Sequence, residues 1–188
     1  MVFAVVSLAV AVCASLTAVA EQAPASTVAQ SVAEVLPLAN PRIVRAEAIA
    51  TDPRRIGEIR TALHDTDIAT QIAPDRLRAV LVRLDTVTAA RRGALSPVGL
   101  ALLAKSYELS PLDYTYAVGR LDFAYEHWTE LTPAIRAKVF VETACLRMAE
   151  TKPIDGLAGR IANRAGALAV SLNLRRAWRN ATTCQPNY

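Results

Sequence analysis

Residues 153–172 read PIDGLAGRIANRAGALAVSL, and this stretch decides the fold class. Behind Pro153, the apolar residues Ile154, Leu157, Ala158, Ile161, Ala162, Ala165, Leu168, Ala169 and Leu172 recur at intervals of three and four. That spacing lines one face of a helix, here sustained for about five turns. A half-buried strand would instead alternate apolar and polar residues. No stretch of the chain does so convincingly, and no Asn-Gly or Asp-Gly hairpin turn occurs.

Working outward, the same period returns behind other prolines. Leu77, Val80, Leu81, Leu84 and Val87 follow Pro74, and Ala117, Leu121, Ala124 and Trp128 follow Pro111. Ala137, Phe140, Val141, Ala144, Cys145 and Met148 follow Pro133. Proline is tolerated in the first helical turn, and a preceding Ser or Thr makes a good N-cap. Ser96-Pro97, Ser110-Pro111 and Thr132-Pro133 have that form, and Pro41, Pro53 and Pro74 fall at further helix starts. The intervals between these prolines leave room for one helix and one turn each. The expectation is an all-α array of antiparallel helical hairpins from residue 41 to the C-terminus, residue 188.

The N-terminus differs in kind. Residues 1–20 carry no charge, and Ala18-Val19-Ala20 fits a signal-peptidase site before Glu21. A signal peptide is expected, with a membrane anchor as the alternative, since the run is just long enough to span. Residues 21–40 read as a spacer with a short helix. Removing residues 1–20 turns a 53% hydrophobic chain into one of ordinary soluble composition. Export also leaves two cysteines, Cys145 and Cys184, as a candidate disulfide. The expected location is periplasmic or secreted, or the inner membrane if residues 1–20 are kept. An Arg- and Ala-rich composition is that of a GC-rich bacterial genome.

All 17 acids lie at or before Asp155, so the formal charge of +4 belongs to Arg160, Arg164, Arg175, Arg176 and Arg179. A basic C-terminal helix suits anionic lipid headgroups or an acidic polysaccharide. Nucleic acid is disfavoured by the absence of interleaved aromatics. Tyr107, Tyr114, Tyr116, Phe123, Tyr125 and Trp128 cluster within 22 residues. Tyr114, Tyr116, Tyr125 and Trp128 are therefore candidate contact residues, with packing between two helices as the alternative.

The segment from Gly99 to Asp113, GLALLAKSYELSPLD, resembles the second helix and closing turn of a tetratricopeptide repeat. Gly99, Leu103, Ser106 and Pro111 fall at that motif's small, apolar, small and proline positions, while the helix after Pro111 is out of register. The SPLD turn followed by RLDFAYEHWTELTPAIRAKV is also similar to repeat-like exported proteins found beside bacterial polysaccharide genes. The resemblance implies a scaffold that holds a protein or glycan partner in a groove between helices.

Catalytic templates are missing. His64-Asp65-Thr66-Asp67 offers too few ligands for a metal, and His127 reads as the exposed edge of a helix whose Trp128 is core. Glu126, Glu130 and Glu142 could supply a carboxylate pair for glycan cleavage, but no neighbouring residues select any of them. No catalytic residue, metal or cofactor is assigned. The expected function is a non-enzymatic helical adaptor of the bacterial cell envelope, supporting polysaccharide assembly or export. The alternatives are a small all-α hydrolase acting on a glycan or phosphate ester, and a membrane-surface module docked through its basic C-terminal helix.

Overall fold

A computed structural model describes residues 14–15, 17–18, 20–35, 38–149, 154, 156–176 and 184, and those residues contain helices and turns but no strand. No helix among them is long and apolar enough to cross a membrane. Most of residues 1–20, on which the signal or anchor expectation falls, lie outside the described residues. The chain divides into two compact units, residues 1–102 and 103–188.

The first unit holds α1 (Thr27–Val35), α2 (Ala39–Thr51), α3 (Ile59–Ile72) and α4 (Leu77–Ala90). Helices α2, α3 and α4 pack on one another. Ile43, Ala46 and Ile49 of α2 meet Ala62 and Ala69 of α3 and Ala79 and Val82 of α4 in one core. Most of these are alanines, which let helix axes approach closely. Asp65 of α3 is fully buried and accepts from Arg42 at 3.0 Å and from Arg45 at 2.6 and 2.7 Å. Burying a carboxylate is tolerated only with such partners. Arg92 and Gly93, both with positive φ, end α4, and the Gly93 N–H donates to Thr88 O at 3.0 Å. Glycine suits that left-handed position because it has no Cβ to clash.

The boundary falls inside α5 (Pro97–Leu109). The second unit continues with α6 (Ala117–Glu126), a 3-10 turn at Trp128–Glu130, α7 (Pro133–Met148), α8 (Leu157–Arg160) and α9 (Arg164–Arg176). Helix α9 packs on α6, α7 and α8. Two of the three proline caps form. Ser96 Oγ accepts from Gly99 N at 3.0 Å, and Thr132 Oγ1 accepts from Ile135 N at 3.3 Å. The third does not. Ser110 and Pro111 lie in a turn, and Asp113 Oδ1 accepts from Thr115 N at 3.0 Å just before α6.

The opening stretch is helical but broken. Ile161, Ala162 and Asn163 are not helical, so α8 and α9 are separate. Asn163 Oδ1 accepts from Gly166 N at 3.0 Å, an N-cap that starts α9 afresh. The phase then shifts. Ala169, Val170 and Asn173 face inward, while Leu168 and Leu172 are 61% and 44% exposed. Helix α7 is rotated in the same way. Its buried residues are Ile135, Val139, Glu142, Thr143, Ala144, Cys145 and Leu146, so Ala144 and Cys145 of the expected stripe do face inward, while Phe140, Val141 and Met148 are exposed.

Candidate functional site

Polar residues in the core of the second unit cause this rotation. Glu142 is completely buried on α7, opposite Arg120 of α6, which is also completely buried. The Arg120 Nε donates to both Glu142 oxygens at 3.1 and 3.2 Å, and Nη2 pairs with Oε1. Nη1 donates to the carbonyls of Ser106 at 3.0 Å and Ser110 at 2.8 Å, at the end of α5. The Tyr107 hydroxyl donates to Glu142 Oε2 at 2.8 Å, and its ring lies 4.1 Å beneath the guanidinium. Burial pushes the Glu142 carboxyl up, against the pull of Arg120 and Tyr107. Taking bonds from Tyr107 of α5 and Arg120 of α6, the carboxylate joins three helices.

A second polar knot lies nearby. Tyr125 is fully buried, its hydroxyl 2.9 Å from Thr143 Oγ1. Asn173 Nδ2 donates to that hydroxyl at 3.3 Å and to Phe140 O at 3.0 Å. Seating Thr143 and Asn173 here turns the apolar residues on either side of them outward.

Those displaced residues meet. Phe140 from α7 and Ala165, Leu168, Ala169 and Leu172 from α9, together with Trp128 and Asn173, line a groove of about 470 Å³. Trp128 is half-buried, 5.2 Å from the Tyr125 ring, 5.1 Å from Phe140 and 5.2 Å from the Arg136 guanidinium. Arg136 also donates to Trp128 O at 3.0 Å and Thr129 O at 3.2 Å, fixing the turn that carries the indole.

The candidate contact residues therefore separate. Tyr125 is core and Trp128 borders the groove. Tyr114 is 56% exposed and Tyr116 half-buried, and neither lines the groove. Arg175 is exposed on α9. The Arg176 side chain and all of Arg179 lie outside the described residues. Cys145 and Cys184 are joined by a disulfide with Cα atoms 5.2 Å apart.

The residues considered for chemistry are dispersed. His64 is exposed, Asp65 is buried under two arginines, and Asp67 pairs with Arg83. His127 is buried, not at an exposed edge. Its ring lies 4.5 Å from Phe123 and its Nδ1 is 2.9 Å from Glu130 Oε1. The helix ends there, and the 3-10 turn folds the ring inward. Glu126 accepts from Ala162 N at 2.8 Å and Asn163 N at 3.3 Å, bracing the break before α9. Asp122, Glu126, His127 and Arg160 do border a shallow cleft of about 370 Å³, with Arg160 pairing Asp122 at 3.2 Å. No group of three or more His, Cys, Asp or Glu among the described residues could hold a metal ion.

The sequence reading missed the groove because it placed Phe140, Leu168 and Leu172 in the core. Two signals could have found it. Asn163 three residues before Gly166 marks a helix start, and Glu142 and Asn173 interrupt apolar stripes where a core polar network has to form. No protein-family model matches the chain, and neither does a curated protein sequence or a solved structure.

Proposed function

We propose that the chain is a non-enzymatic helical adaptor of the bacterial cell envelope, with the α7–α9 groove as its contact face and polysaccharide assembly or export as its pathway. The exposed apolar lining of that groove carries this reading. Apolar side chains gathered in a concave surface are a feature of binding sites. The carboxylates that a hydrolase would need are each engaged structurally, on Arg120, on Arg42 and Arg45, on His127, or on the backbone before α9. A disulfide fits an oxidising compartment. The tetratricopeptide-like pairing of α4 with α5 is part of the proposal. What supports it is the likeness of Gly99, Leu103, Ser106 and Pro111 to that repeat's small, apolar, small and proline positions.

The test places a photo-crosslinking residue at Leu168 in the native host, with Val98, also exposed, as the control position. A discrete adduct at 168 and none at 98, in the envelope fraction, is expected. Equal adducts at both positions, or a cytoplasmic protein with free thiols, would overturn the reading.

A further inference from the structure

Leu168 and Leu172 stand one turn apart on the outer face of α9. The 3.6-residue period brings Arg164 and Arg175 onto that same face, one beyond each end of the leucine pair. At 1.5 Å per residue, those arginines are about 16 Å apart along the axis. Both are exposed, and neither has an ion-pair partner among the described residues. Across the groove stand Phe140 and Trp128, and Ala165 and Ala169 add only methyl groups. None of the lining residues is charged. The trough is therefore apolar along its length, with a positive charge beyond each end that no ion pair among the described residues offsets.

We propose that this groove binds a single apolar chain with an anionic head, an alkyl carboxylate or alkyl phosphate, taken up as a monomer. This deepens the reading of the groove as a contact face and rests on it. The volume of about 470 Å³ lies within the usual range for small-molecule sites. A sugar would need several polar partners, whereas the lining offers the Trp128 indole N–H and Asn173, whose amide already donates to Tyr125 and to Phe140 O. A neutral chain would leave both arginines unused, and a cationic head would be repelled by them. The bonds of Asn173 tie α9 to α6 and α7, so the walls stand in place before a ligand arrives, which lowers the ordering cost of binding.

The test uses the full chain with Trp178→Phe, leaving Trp128 as the sole indole. Decanoate, decanol and decyltrimethylammonium are titrated below their micelle concentrations while Trp128 emission is followed. Decanoate saturates, about tenfold or more tighter than the ammonium compound. Its affinity falls as salt rises from about 0.05 to 0.5 M, while that of decanol does not. Arg164→Gln with Arg175→Gln removes the preference for decanoate and keeps decanol binding. Ala165→Phe fills the groove and removes all three. If that variant fails to fold, Leu168→Gln with Leu172→Gln, both at exposed positions, gives the same readout.

Equal affinity for decanoate and the ammonium compound, unsaturable quenching, or unchanged binding in the groove-filled variant would overturn the proposal. So would emission changes with phosphatidylglycerol vesicles alone, which would make the face a membrane-docking surface. Loss of decanoate binding beside an intact crosslink at 168 removes the ligand and leaves the adaptor. The reverse result removes the adaptor and leaves a ligand-binding protein.

Discussion

Arg120→Met is the sharpest perturbation of the second unit. It keeps much of the side chain's bulk but removes the guanidinium that pairs with Glu142 and ties down the end of α5. Both charged groups are fully buried, so the variant strands a carboxylate with the Tyr107 hydroxyl as its remaining donor. Breaking a buried pair from one side typically costs about 3–5 kcal/mol. The Ser106 carbonyl also loses a donor, which pushes the loss toward the upper end of that range. With a urea m-value of about 2 kcal/mol/M, the midpoint should fall by about 2 M. Trp128 lies in the second unit, so with Trp178→Phe in the background intrinsic fluorescence follows that unit, while far-UV dichroism follows helices throughout the chain. The fluorescence midpoint is expected to move most. Adding Glu142→Leu to Arg120→Met should recover part of the loss, with a coupling of about 2 kcal/mol relative to the two single variants. A midpoint shift under about 0.5 M, or strict additivity in the double variant, would show that the buried pair does not hold these helices together.

Gly166→Ala would put a Cβ 1.9 Å from Tyr125 O, a backbone atom unable to rotate away, and should cost about 2–3 kcal/mol in thermal or urea unfolding. Gly119→Ala, inside α6 with nothing within 4 Å, should stabilise by about 0.5–1 kcal/mol in the same assay. Replacing Cys145 and Cys184 together by Ala should cost about 3–4 kcal/mol for a loop of this length, and the variant's urea curve should no longer respond to dithiothreitol. Burial, with Glu47 adding to it, pushes the Asp85 carboxyl up to about 6 from its ordinary 3.8. The folded state then holds that proton more tightly than the unfolded chain, so the associated stability is present below about pH 4 and is lost as pH rises through 6. The Asp85 side chain is nonetheless exposed to solvent, which screens the effect and keeps the slope modest. In melts across pH 4–7, Asp85→Asn should gain on the parent protein as pH rises, levelling off above about 6.

The all-helical class was legible because period, proline caps and missing hairpin turns all point one way. Ser96 and Thr132 cap helices where their Ser-Pro and Thr-Pro pairs predict it. Ser110-Pro111 misleads because Asp113, two residues on, offers the better side-chain acceptor for the chain entering α6. Phase was harder to read than class. A stripe of apolar residues gives the inner face only if the core is apolar, and here Glu142, Thr143 and Asn173 occupy it. The partner that makes Glu142 tolerable is Arg120, which sits 22 residues earlier on another helix, beyond the reach of any local pattern. The aromatic cluster shows the same limit. Tyr107 and Tyr125 are buried with bonded hydroxyls and Tyr114 is exposed, and the partners of the two buried hydroxyls, Glu142 and Thr143, lie on another helix.

The break at Ile161–Asn163 also sets how the chain can change in length. Helix α9 is registered against α6 at two points, the Glu126 carboxylate on the Ala162 and Asn163 amides and Gly166 against the Tyr125 carbonyl. One residue inserted between them would turn α9 by about 100°. Leu168, Leu172, Arg164 and Arg175 would all rotate off the groove in a single step. Residues 162–166 are therefore an indexing segment. A substitution at Ala162, which faces solvent, should be absorbed, but a deletion or insertion should erase the groove while leaving the helix itself intact.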